Sequence, residues 1–183
     1  VNRIQPEDIT EQAYTHLRAR GFRSINFDLI YGLPLQTVDT FAKTMEKVVG
    51  FRPDRISIFN FAYVPWLKKH QLRMNKEDLP STETRLQILS YAVDRLQKAG
   101  YVHIGMDHFA LPDDELTVSL RDGSLRRNFQ GYSTRGGTEL IGFGVTSIGE
   151  FNSGYAQNTK SLVDYYRAIE AGRLPTERGV IIT

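Results

Sequence analysis

A strand that ends abruptly limits the folds open to this chain more than any other feature. The stretch Ser24-Ile25-Asn26-Phe27-Asp28-Leu29-Ile30-Tyr31 supplies large or β-branched apolar residues, and Gly32 and Pro34 cannot continue a regular element. The strand therefore stops near Tyr31 and gives way to a turn that includes Leu35, Gln36 and Thr37. Asp28 lies inside the apolar run, where a carboxylate without a partner costs several kcal/mol. It calls for a partner, which is either a structural one, an ion pair or a capped loop, or a bound ligand.

The rest of the chain repeats that arrangement. Pro6-Glu7-Asp8 opens a helix with Ile9, Ala13, Tyr14 and Leu17 at helical spacing, halted by Gly21. Thr37 to Val49 reads as a second helix with Phe41, Met45 and Val48 on one stripe and Gly50 as its C-cap, followed by a strand from Arg55 to Phe61. Ser81 caps a long helix carrying Leu86, Leu89, Val93 and Leu96, closed by Gly100, and Tyr101 to Met106 is a third strand running into Asp107-His108-Phe109. Helix alternating with strand predicts parallel strands joined by right-handed crossovers, an α/β barrel or doubly wound sheet.

After Phe109 the pattern weakens. Pro112-Asp113-Asp114-Glu115 starts a helix through Leu120, and Asn128 to Gly137 is Gly-rich and polar, the composition of a loop. Leu140 to Val145 resembles an apolar strand whose glycines let something approach the backbone closely. Ser161 to Ala171 is a last helix, with Leu162, Tyr165, Tyr166 and Ile169 on one side.

With 183 residues, 40% of them hydrophobic and 24% charged, the chain can bury the core of a single domain spanning 1–183. A net charge of +2 gives no basis for general nucleic-acid binding. Cysteine is absent, which excludes a disulfide framework and any Cys-ligated zinc or iron–sulfur centre within these residues. His16, His70 and His103 have no second ligand at metal spacing. No apolar run approaches the ~20 residues of a membrane span and Val1-Asn2-Arg3-Ile4-Gln5 is not a secretory signal, so a cytoplasmic location is expected. The chain starts without Met and ends on the apolar run Gly179 to Thr183, and it reads as a piece of a larger protein.

Parallel α/β folds gather ligands at the carboxyl ends of their strands, where loops vary on a fixed sheet. Asp28 and Tyr31, Asn60 and Tyr63, then Met106, Asp107 and His108, and finally Thr146, Ser147 and Ile148 stand at four such ends, so a site is expected at that face. His108 beside Asp107 is open to two readings, a base with its orienting carboxylate or a plain loop hydrogen bond. Lys68, Lys69, His70, Arg121, Arg126, Arg127 and Arg135 would hold carboxylates if folded to one rim, and are otherwise a solvated face.

Several segments taken together resemble the oxygen-independent coproporphyrinogen III oxidase (coproporphyrinogen dehydrogenase) family of radical S-adenosylmethionine enzymes. These are Asp28-Leu29-Ile30-Tyr31-Gly32-Leu33-Pro34 with Gln36-Thr37, Phe59-Asn60-Phe61-Ala62, Ile104-Gly105-Met106-Asp107-His108-Phe109-Ala110 with Pro112-Asp113-Asp114-Glu115-Leu116, Arg127-Asn128-Phe129-Gln130-Gly131-Tyr132, and Tyr155-Ala156-Gln157-Asn158. The first marks only the wider superfamily; the Gly-Met-Asp-His-Phe-Ala and Arg-Asn-Phe-Gln-Gly-Tyr segments are far more specific. The resemblance implies the parallel-stranded portion of a radical-SAM partial TIM-like barrel, with additional helices and loops. It implies oxidative decarboxylation of two propionates of coproporphyrinogen III to vinyl groups, giving protoporphyrinogen IX, in anaerobic haem synthesis. A 4Fe-4S cluster would cleave S-adenosylmethionine and the 5′-deoxyadenosyl radical would take a hydrogen from the propionate.

Carried over position by position, the resemblance implies contacts of Arg3 and Asp28 with a second S-adenosylmethionine and of Ala62 and Ile148 with the first; it assigns no catalytic residue. Arg3 suits an α-carboxylate, Asp28 ribose hydroxyls or an amino group, and Ala62 and Ile148 offer small and apolar surface to adenine. The family binds its cluster through a Cys-x3-Cys-x2-Cys motif that these residues lack, so the metal ligands, the first barrel strands and a C-terminal domain are expected outside this chain, and no oxidase activity is expected of it alone. The alternative is a haem chaperone of the same superfamily, which binds haem without oxidase activity. Where this chain has Gly105 to Ala110, those relatives carry a Glu-Ile-Ser-Asn-Phe-Ala type of segment. A third reading is a scaffold with no function apart from its parent.

Overall fold

In a computed structural model, which describes residues 4–182, helix α1 (Glu7–Ala19) begins directly after Pro6, with Glu7 and Asp8 in its first turn. The residues gather into two compact units that part between Leu125 and Arg126. In the first, β1 (Asn26–Tyr31) and β2 (Arg55–Asn60) pair in parallel around helix α2 (Val38–Phe51). Thr37 caps α2 in a box with Thr40: the Thr40 amide donates to Thr37 Oγ1 at 3.2 Å and the Thr37 amide to Thr40 Oγ1 at 2.9 Å. Gly50 is not the C-cap. The helix runs one residue further and Arg52 takes the left-handed conformation at φ 51°, immediately before Pro53. Keeping Phe51 helical lets its ring meet Phe27 and Tyr14 at 5.7 and 5.8 Å.

Helix α3 (Thr82–Lys98) is capped by Ser81, whose Oγ accepts from the Thr84 amide, and the chain turns away at Gly100, φ +88°. It leads into β3 (Val102–Gly105), which runs in the direction of β1 and β2 but does not lie beside them. The chain reverses at Met106 and Asp107, and β4 (His108–Ala110) inserts antiparallel between β2 and β3, giving the order β1-β2-β4-β3. The α/β alternation thus holds, while parallel adjacency stops at β2. The reason is local: Met106 at φ 47° makes a tight reversal, and a crossover is not needed to return.

One face of this sheet is covered by helices. Phe27, Leu29, Tyr31, Ile56, Ile58 and Phe109 meet Phe41, Met45 and Val48 of α2 and Ile88, Ala92 and Leu96 of α3 in the core. Helix α4 (Glu115–Asp122) begins after Asp114, which is buried and binds Arg55 at the start of β2. This closes the end of the sheet where the strands begin.

The second unit departs more from expectation. Against the loop expected over 128–137, β5 (Arg126–Asn128), which ends at the first residue of that stretch, and β6 (Gly131–Ser133) form a hairpin whose turn is made by Asn128 Oδ1 accepting from the Gln130 and Gly131 amides. Leu140 to Val145 is not a strand; only Leu140 bridges to Glu150. Gly144, at φ +101°, turns the chain, and at Gly142 a Cβ would come within 2.7 Å of the Ile148 carbonyl, so the close approach expected of these glycines is real. The three-stranded antiparallel sheet is built instead from β7 (Ile148–Phe151), β8 (Gly154–Asn158) and β9 (Thr176–Ile181). Helix α5 (Leu162–Glu170), capped by Ser161, connects β8 to β9.

Candidate functional site

The alternation along β1 turns Asn26, Asp28 and Ile30 away from the helices, and the register places Asp28 opposite Ser57 and Ile30 opposite Phe59. Asp28 is therefore exposed, which corrects its expected burial: the apolar partners of the run lie on the other face. Its Oδ1 accepts from Asn26 Nδ2 at 2.6 Å, and Asn26 Oδ1 in turn accepts from the buried Ser57 hydroxyl at 3.2 Å. Asp28 also lines a cleft of about 510 Å³ between α1, α2 and β1, together with Gln5, Glu7, Tyr14 and Lys47. Within that cleft Lys47 is paired with Glu7. Arg3 lies outside the described residues.

Where β1 and β2 end, polar groups hold the turns. Gln36 Oε1 accepts from the Gly32 amide at 2.6 Å, which fixes the Gly-Leu-Pro turn, and Gly32, at φ +83°, leaves room for Asn60, whose Oδ1 would lie 3.0 Å from a Cβ there. Tyr31 is buried; burial pushes its phenol up, the Asp107 charge adds to this and Arg85 opposes it. The Asp107 carbonyl accepts from the Ile58 amide at 2.8 Å, extending the β2–β4 ladder, and the His108 ring stands edge-on to Phe59 at 6.0 Å. His103 donates from Nε2 to the Met106 carbonyl at 2.8 Å and stacks on Phe109, so it braces the reversal. Tyr31, Asn60, Asp107 and His108 are thus brought to one end of the first sheet.

Ala62 lies two residues beyond the end of β2 and is exposed. It is positioned by Gln71, a buried side chain that donates to the Ala62 carbonyl at 3.0 Å and accepts from the Val64 amide at 2.6 Å. The same loop leaves Trp66 73% exposed. Sequence reasoning passed over Gln71; only its place between basic residues in a polar loop could have drawn attention to it.

Ile148 opens β7 in the second unit and lines an almost wholly apolar cavity of about 340 Å³ with Phe129, Tyr155, Gln157, Arg178 and Val180. Phe129 meets Tyr155 edge-on at 6.0 Å. The loop before Ile148 is tied by Asn158, whose Nδ2 donates to the Gly144 carbonyl and to Ser147 Oγ, both at 2.9 Å. Phe129, Tyr155, Gln157 and Asn158 all fall in motif segments, and the signal that marks them is the resemblance rather than periodicity. Ala62 and Ile148 belong to different units.

Of the basic candidates, Arg121, on α4, donates to the Pro112 carbonyl ahead of that helix. Lys68, Lys69 and His70 lie on the loop that follows β2. Arg126, Arg127 and Arg135 line one cleft in the second unit. Among the described residues no group of His, Asp and Glu side chains could hold a metal ion, and no helix is long and apolar enough to cross a membrane.

No family model matches the chain. It is similar to the oxygen-independent coproporphyrinogen III oxidase of Synechocystis sp., 50% identical over 179 residues that make up 98% of this chain and 38% of that protein. The enzyme of the same description from Helicobacter pylori is 49% identical over the whole chain and 40% of its own length. Among solved structures, the coproporphyrinogen III oxidase of Escherichia coli, described as a radical SAM enzyme, superposes with a TM-score of 0.96 at 46% identity, over 100% of this chain and 42% of that one. The chain has the fold of that stretch, and it spans about two fifths of the length of the curated relatives it matches.

Proposed function

We propose that this chain is part of an oxygen-independent coproporphyrinogen III oxidase, and that the full-length protein decarboxylates two propionates of coproporphyrinogen III oxidatively to the vinyl groups of protoporphyrinogen IX. The observation that carries this reading is similarity along essentially the whole chain to enzymes of that description. On this reading the 183 residues are one domain's later barrel portion with the segment after it, working in the cytoplasm.

Bound S-adenosylmethionine would supply the 5′-deoxyadenosyl radical that takes a hydrogen from the propionate. A 4Fe-4S cluster does not fit these residues, since the chain contains no cysteine. The residues present fit the organic cofactor better. The open apolar pocket at Ile148, beside Phe129 and Tyr155, suits the flat face of an adenine. Ala62, in the first unit, presents small surface and is held in place by Gln71. Asp28 accepts hydrogen bonds from ribose hydroxyls or an amino group of the second S-adenosylmethionine, with Asn26 orienting its other oxygen, and Arg3 would take that molecule's carboxylate.

The test is anaerobic turnover by the full-length protein with S-adenosylmethionine and a reductant. Protoporphyrinogen is expected from the wild type, with Asp28→Ala losing at least tenfold in S-adenosylmethionine affinity, as for removal of a charge-assisted hydrogen bond. Stable haem binding with no decarboxylation would reassign the chain to a chaperone. The 183 residues alone, reconstituted with iron, sulfide and reductant, are expected to show no turnover.

A further inference from the structure

We infer that the cleft framed by Arg126, Arg127 and Arg135 receives carboxylates of the substrate, an inference that rests on the oxidase reading. The cleft encloses about 530 Å³, room for a carboxylate-bearing ring substituent and more. It is built by the β5–β6 hairpin and the loop after it. The stem of Arg126 lies across Gly136, where a Cβ would overlap its Cγ, so only glycine lets this side chain pass. The Arg127 guanidinium sits 5.8 Å from the centre of the Tyr132 ring, which restricts its swing. The loop carrying Arg135 is closed on itself: the Arg135 amide donates to Ser133 Oγ at 3.0 Å and Thr138 Oγ1 donates to the Arg135 carbonyl at 2.8 Å.

Charge decides what such a cleft takes. The lining holds three arginines and one carboxylate, Glu150, which accepts from the Tyr155 hydroxyl at 3.3 Å, so its formal charge is +2. Among the described residues neither Arg127 nor Arg135 has a carboxylate partner. Positioned, fork-shaped cations select planar, bidentate anions over neutral ligands. Two sources of carboxylate are at hand on the oxidase reading, the propionates of the tetrapyrrole and the α-carboxylate of S-adenosylmethionine. A surplus of two charges matches a ligand with more than one carboxylate, which favours the tetrapyrrole.

The test uses the full-length protein and three probes: coproporphyrin III, a stable and fluorescent relative of the substrate with the same four propionates, its tetramethyl ester, and S-adenosylmethionine. Arg127→Ala and Arg135→Ala are each expected to weaken coproporphyrin III roughly tenfold, the scale of one charged hydrogen bond, and Arg127→Lys to recover only part of it. The ester should bind weakly to all variants, and S-adenosylmethionine should bind as to wild type. Unchanged coproporphyrin affinity in both alanine variants overturns the inference, as does a loss confined to S-adenosylmethionine. Turnover separates the two levels: normal oxidase activity with an unaltered KM in the variants removes the cleft and leaves the enzyme, while arginine-dependent binding without turnover removes the enzyme and leaves the cleft.

Discussion

Asp114 concentrates more interactions on one carboxylate than any catalytic role would explain. Both its oxygens take the Arg55 Nε at 2.9 Å, Oδ2 accepts from the Ser24 hydroxyl at 3.0 Å, and Oδ1 caps α4 by accepting from the Leu116 amide at 2.8 Å. Asp114→Ala is expected to cost about 3–5 kcal/mol, because it strands a partly buried guanidinium and uncaps a helix together. Urea unfolding of the variant reads it; a loss below about 1 kcal/mol, the scale of an exposed pair, would refute the account. Tyr101 makes the pH prediction. Its buried hydroxyl donates to the Pro53 carbonyl at 2.6 Å, and burial pushes the phenol up to about 12 from its usual 10. The folded state thus holds the proton more tightly than the unfolded one. Its contribution is complete below pH 10 and fades between pH 10 and 12, by about 2–3 kcal/mol in all. Tyr101→Phe should therefore be less stable than wild type at pH 8 and lose less between pH 10 and 12; parallel unfolding free energies across that range would count against it. Asp28 shows where single-residue reading stopped. Its neighbours in sequence are apolar, yet a strand turns alternate residues to opposite faces, and which face stays open depends on where the helices pack.

Elements whose ends carry local chemistry were legible in the sequence. Thr37 before α2, Ser81 before α3 and Asp114 before α4 stand at the helix starts expected from the sequence, since a side-chain cap is satisfied within one turn of the chain, and Pro6 opens α1 through its fixed φ without a side-chain cap. The β4 insertion was not legible, because Asp107-His108-Phe109 reads equally as the continuation of a strand or as its return. The C-terminal strands were hidden for a related reason: β5 begins with Arg126 and Arg127, and β9 contains Glu177 and Arg178, residues whose side chains gain nothing from the ladder that orders their backbone. The Ile148 cavity draws its walls from three strands and the β5–β6 turn, and no single window of sequence holds it.

At the scale of the molecule, the apolar surface left uncovered matters most. Leu162, Val163, Tyr166 and Ile169 of α5 and Val180, Ile181 and Ile182 around β9 are more than a third exposed. Such surface associates. The isolated chain is expected to sediment with a mass that rises with concentration, and Ile169→Glu with Val180→Lys to reduce this; one monomeric species at all concentrations would show that the surface is inert. The β3–β4 hairpin bears on how the first unit assembles. Its strands are joined through a minimal turn, so they zip within microseconds, whereas β2 must meet β4 across a long loop, Ile56 finding Phe109 only after α3 has intervened. On a ribosome, where the chain emerges from its N-terminus, β2 would wait with one edge unpaired until Ala110 had cleared the exit tunnel.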